Sequence, residues 1–188
     1  MAEPHVIDVR ISDLRQLFNS FDPSPFHEKD LDRDAEEYIV GWANELPLGT
    51  PLELVVRVPA DQVETAQASD LGRAIANYFS YRATESRRAM RFLFREGRVA
   101  MAIGLAFLVA CMALRELATA IDQPTLRPVL QEGLVILGWV AMWRPLQIFL
   151  YDWWPVRHYL RLYAQLAGMS VRVVALPVES GAPQRPAG

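Results

Sequence analysis

The spacing of apolar and polar positions changes several times along this chain, and each change predicts an element. Residues 6–11 alternate, with Ile7, Val9 and Ile11 on one side and Asp8 and Arg10 on the other. That is the period-two pattern of a half-buried strand. Ser12 stands where it can cap a short helix over 13–19, in which Leu14, Leu17 and Phe18 share a side. Leu31, Ala35, Tyr38, Ile39, Trp42, Ala43 and Leu46 recur at helical spacing, which predicts a helix over 31–46 that Pro47 and Gly49 end. Leu52, Leu54, Val56 and Val58 alternate again as a second strand, 52–58. Strand, helix, strand in this order predicts a right-handed parallel crossover. Asp61 and Glu64 have capping-box spacing. A third short strand, 171–176, is expected to return the chain to the same sheet.

Between the second and third strands the pattern is of another kind. Residues 99–114 carry no charge, and 133–143 and 146–151 form a second apolar run. Runs of this length predict two membrane spans, about 99–118 and 129–150, joined by an outer turn that Pro124 and Pro128 bracket. Leu71, Ala74, Ile75, Tyr78 and Phe79 mark an apolar helical face upstream, and no proline occurs from 60 to 123. One long helix is therefore expected to run into the first span. The expected fold class is an α+β membrane protein: a two-span transmembrane helical hairpin with a small cytoplasmic α/β domain of three short strands plus helices. The expected divisions are a cytoplasmic domain over 1–81, an Arg-rich juxtamembrane helix over 82–98, the hairpin over 99–150, a cytoplasmic post-membrane segment with its return strand over 151–178, and a disordered tail over 179–188.

Charge gives this hairpin a direction. Residues 1–81 hold fifteen acidic and six basic side chains, net −9, and residues 82–98 hold six Arg and two Glu, net +4. The remaining 99–150 and 151–188 carry 0 and +2, which accounts for the total of −3 over 188 residues. Arginines flanking apolar runs mark the cytoplasmic side, so both termini are expected there, in a bacterial inner membrane crossed more than once. Arg87, Arg91, Arg95 and Arg98 recur at helical spacing. With Trp153 and Trp154 they are the expected contacts to anionic phospholipid headgroups, each Arg adding about 1 kcal/mol near the surface. The acidity of 1–81 argues against nucleic-acid binding. Met1–Arg10 lacks the basic start and apolar core of a secretory signal, so the first span is expected to direct insertion. The single cysteine, Cys111, reads as a small buried apolar side chain.

The segments Ile7-Asp8-Val9-Arg10-Ile11, Phe21-Asp22-Pro23-Ser24-Pro25-Phe26 and Tyr151-Asp152-Trp153-Trp154-Pro155 resemble those of an uncharacterised family of small bacterial inner-membrane proteins. The likeness covers most of residues 5–176. It implies a membrane location and carries over no activity, cofactor or catalytic residue.

The remaining polar residues assemble no catalytic set, so no enzyme, cofactor or metal is expected. Asp30, Asp32, Asp34, Glu36 and Glu37 mimic the opening of a calcium loop, but its sixth and twelfth positions fall on Ala35 and Gly41 instead of Gly and Glu. These carboxylates read better as a helix start complementing the dipole. His5, His27 and His158 have no ligand spacing, and no serine sits in a Gly-x-Ser-x-Gly elbow. Phe21, Pro23, Pro25 and Phe26 form a stiff candidate loop for a protein partner. Arg144 and Glu132 are candidate functional residues inside the membrane. Arg144 falls either about 10 Å into the second span or, with Arg98, at the headgroup level, where its stem can snorkel. Glu132 stands near the outer end, with Arg115 and Arg127 as candidate partners. Gly133, Gly138 and Ala141, with Ala102, Gly104 and Ala106, offer small-residue sides for helix packing or a homo-oligomer. The expected function is a membrane-anchored scaffold or adaptor presenting an acidic domain to an unidentified protein. The alternative is a small oligomeric channel or transporter subunit that uses Arg144 and Glu132.

Overall fold

The computed structural model describes residues 4–18, 30–68, 70–120 and 122–176. Its elements in chain order are β1 (His5–Arg10), a 3-10 turn (Leu14–Leu17), α1 (Arg33–Asn44), β2 (Leu52–Val58), α2 (Val63–Ala68), α3 (Leu71–Leu117), α4 (Leu126–Ala141), α5 (Trp143–Gln147), a π turn (Ile148–Asp152), α6 (Trp153–Ala167) and β3 (Ser170–Ala175). The chain is thus mixed helix and strand, with a small parallel sheet and two long apolar helices. It divides into two compact units, Met1–Ala83 with Arg161–Gly188, and Thr84–Leu160.

In the first unit the sheet runs β1-β2-β3, every pair parallel. The order steps in one direction, so crossovers of one hand place both connections on one face. The core agrees. Ile7 and Val9, then Leu52, Leu54, Val56 and Val58, face Ile39 and Ala43 of α1, Ile75 and Phe79 of α3, and Leu162 and Leu166 of α6. The opposite face is polar and carries two diagonal ion pairs, Arg57 Nε to Asp8 at 2.8 Å and Arg172 Nη2 to Glu53 at 2.9 Å. Val55 lies between them and is buried, although it is on that open face.

Local details follow from local chemistry. Asp13, not Ser12, caps the first turn, its carboxylate accepting from Arg15 N at 2.8 Å; Ser12 donates instead to Gln16 Oε1. Asp32 caps α1 by accepting from Asp34 N at 3.0 Å, so the acidic run is a helix start, as read from sequence. Gly49, with φ +94°, makes the turn from α1 into β2. Gln165 of α6 clamps that turn, accepting from Gly49 N and donating to Thr50 O. The expected strands 6–11 and 171–176 are each displaced by one residue from those observed.

In the second unit, α3 and α4 pack antiparallel through small residues. A Cβ on Gly138 would stand 2.7 Å from Leu108 Cδ1 and 3.3 Å from Cys111 Cβ; one on Gly104 would meet Ala141 O at 2.9 Å. Pro145 has no N–H to donate to that Ala141 carbonyl, four residues back. The helix breaks at Met142, where residues 129–150 were expected to form one span. Cys111 is buried against Gly138, as expected of it.

Candidate functional site

The candidate residues gather in three places. The first is the end of the helix pair where the Arg-rich part of α3 meets α5 and the π turn. Gly97 packs on Ile148 and Phe149, and Gly104 packs on Ala141. Between these two contacts the Arg144 backbone lies opposite the segment around Met101, about one turn past Arg98. Its side chain runs back toward the Arg-rich part of α3. Nη2 donates to Glu96 Oε1 at 2.7 Å and Nη1 to Asp152 Oδ2 at 3.1 Å. Arg144 is thus a half-exposed cation held between two carboxylates.

The π turn aligns this triad. Residues 144 and 152 are eight apart, which in an α-helix leaves their side chains about 80° out of line. A π turn inserts about one extra residue and removes most of that offset. Trp153 Nε1 donates to Phe149 O at 2.9 Å within the same segment, and the Arg157 guanidinium lies over the Trp153 ring, 5.5 Å from its centroid. Trp154 is exposed. Arg87, Arg91, Arg95 and Arg98 are exposed, and no described residue forms an ion pair with any of them.

The second place is the other end of the pair. Arg115, Pro128, Gln131, Glu132, Val135 and Ile136 line a hollow of about 440 Å3. Arg115 pairs with its neighbour Glu116 at 3.4 Å, not with Glu132, which is exposed.

The third lies in the sheet unit, among residues that sequence spacing marked only as a helix start (Glu36) and an apolar helical face (Tyr78). Glu36 of α1 accepts from Tyr78 Oη at 2.7 Å and from Arg82 Nε at 2.8 Å, both on α3. Arg82 Nη2 also reaches the Tyr163 hydroxyl of α6 at 3.3 Å and lies over that ring, which stacks on Phe79. Burial, then the Glu36 bond, push the Tyr78 pKa well above the ordinary tyrosine value. For Arg82, burial works downward, but Glu36 and the two tyrosines outweigh it and the pKa rises. The network ties three helices together and contains no activated nucleophile. Its members come from positions 36, 78, 82 and 163, so no local spacing could reveal it.

Among the described residues no group of His, Cys, Asp and Glu is placed to hold a metal ion. The loop residues Phe21, Pro23, Pro25 and Phe26, with His27, lie outside the described residues, as does the tail 179–188. No protein-family model matches this chain, and no curated protein or solved structure matches it either.

Proposed function

We propose that this chain is an integral membrane protein of two spans that anchors its sheet-bearing unit as a cytoplasmic adaptor at a bacterial inner membrane. The observation that carries the membrane reading is where large and small apolar side chains lie on the helix pair. Ile103, Val109, Ile136 and Trp139 are each at least 60% exposed, whereas the buried residues within 99–117 and 126–143 are Gly104, Cys111 and Gly138. A water-soluble pair would bury the large side chains. Packing through small residues with large ones outward suits lipid, which solvates leucine and isoleucine as well as a protein interior does. The two helices are long and apolar enough to cross a bilayer. With Arg98 and Arg144 at the cytoplasmic edge, the spans cover about 99–117 and 126–143, each about 27 Å long. Arg87, Arg91, Arg95 and Arg98 then meet anionic headgroups.

The test is labelling with a membrane-impermeant maleimide. A Thr119→Cys chain is expected to react in spheroplasts, and a Ser86→Cys chain only after lysis. Recovery of the protein in the soluble fraction, or labelling of S86C from outside, defeats the reading. The adaptor role is tested by crosslinking in intact cells; recovery of no protein other than the chain itself removes it. A second reading, a subunit of an oligomeric pore, draws on the hollow that Arg115, Gln131 and Glu132 help to line. It requires that Glu132→Gln alter ion flux in proteoliposomes. Arg144 offers it less, because two carboxylates already neutralise that charge.

A further inference from the structure

The sheet has two outer strands, β1 and β3. α2 packs beside β3, and Val171 lies 3.6 Å from where a Gly72 Cβ would stand. β1 is different. His5 N donates to Pro51 O and Ile11 N to Arg57 O, so the odd-numbered backbone groups of β1 point at β2. The N–H and C=O groups of Val6, Asp8 and Arg10 therefore point away from the sheet. Among the described residues, one group bonds to that row, the Tyr38 hydroxyl, which donates to Asp8 O at 3.1 Å. An exposed row of this kind is a template for another strand.

Three further observations identify the strand that fits. Along the free edge, Asp8 and Arg10 have opposite charges two residues apart; Asp8 already accepts from Arg57 and would share its charge, and Arg10 is exposed with no described ion-pair partner. In a two-fold antiparallel pairing centred on Val9, Asp8 of each copy stands opposite Arg10 of the other, twice. The hydrogen-bonded pairs of that register are the residues whose backbones face outward; the register centred on Asp8 would put two aspartates face to face. Second, α1 exposes Tyr38 and Trp42 (45% and 44%), and Val6 is 46% exposed at the same edge. A two-fold axis normal to the sheet keeps both helix layers on one side, so these aromatics would meet their counterparts. Third, Gly41 lies between them on α1, and a Cβ there would touch nothing within 4 Å. Glycine inside a helix is less favourable than alanine. The isolated unit has no steric need for it, but close approach of a second α1 does.

We infer that the chain forms a two-fold homodimer by joining β1 to β1 in the register centred on Val9, which makes one six-stranded sheet flanked by paired α1 helices. This interface does not depend on whether the helix pair lies in lipid. The test uses the purified full-length chain in mild detergent, with mass measured by light scattering. The parent is expected to be a dimer. Arg10→Pro removes only an outward N–H, so it is expected to give a monomer with an unchanged circular dichroism spectrum. Gly41→Leu is expected to lose the dimer with no loss of thermal stability. Directly opposed residues lie about 5.5 Å apart, within disulfide reach. Mixed Asp8→Cys and Arg10→Cys chains should therefore form a disulfide-linked heterodimer on oxidation, while neither links to itself. A monomeric parent, a dimer indifferent to both R10P and G41L, or self-linkage of D8C overturns the proposal.

Discussion

At the scale of single residues, two polar groups tie distant segments together. Arg144 sits between Glu96 and Asp152, carboxylates contributed by α3 and the π turn. Arg144→Leu leaves the two acids facing each other. It is expected to destabilise the helix pair only modestly, because the site is half exposed. Arg144→Lys should recover only part of this, since an ammonium cannot fork between two acceptors. Reversible unfolding in bicelles measures both. Tyr78 gives a pH dependence with a definite sign. Its pKa is raised in the folded state by burial and by Glu36. The unfolded chain therefore releases the proton first, and the stabilisation, complete below about pH 10, is lost as pH rises beyond it. Urea melts followed by near-ultraviolet circular dichroism between pH 8 and 11.5 should show this fall in the parent and a flatter profile in Tyr78→Phe.

At the scale of elements, backbone geometry decides how close helices come. Gly104 and Gly138 both lie at the α3–α4 contact, but an added methyl meets different neighbours. On Gly138 it meets the flexible end of Leu108, which can move; on Gly104 it meets the Ala141 carbonyl, which cannot. Gly104→Ala is therefore expected to cost about 1–3 kcal/mol and Gly138→Ala distinctly less, as steric-trapping measurements in bicelles would report. The start of α1 is an equally local matter. Asp32→Ala should cost about 1 kcal/mol and Asp32→Asn almost nothing, because either side-chain oxygen can accept the Asp34 N–H. If added calcium raised the melting temperature of the parent but not of D32A, the acidic run would be a metal site and the capping account would fail.

At the scale of the whole molecule, the helix pair is an insertion between β2 and β3. The first unit draws Leu162, Tyr163 and Leu166 of α6, and all of β3, from beyond it. A chain ending at residue 150 therefore lacks one of three strands and a wall of the core. It is expected to expose residues 4–83 to limited proteolysis that the full-length protein resists. Rapid cleavage of both chains alike would show that the sheet does not depend on the returning segment.

Much of this fold was legible in the sequence, because it rests on periodicity. Alternation placed the three strands to within a residue, helical spacing placed α1 and α3, and the uncharged runs placed two helices that expose apolar side chains. These signals are local, since each residue's side depends only on its neighbours' spacing. The partners of polar groups are not local. Glu36 was legible as a helix-start carboxylate, but its bonds to Tyr78 and Arg82 span more than forty residues. Arg144 was legible as an anomaly in an apolar run, with its depth open. The break at Met142 and the π turn settle which way it reaches, and Glu96 and Asp152 determine what it meets. Sequence pattern fixes which face of an element is apolar; which charge finds which partner depends on how the faces close over one another, and only the folded chain decides that.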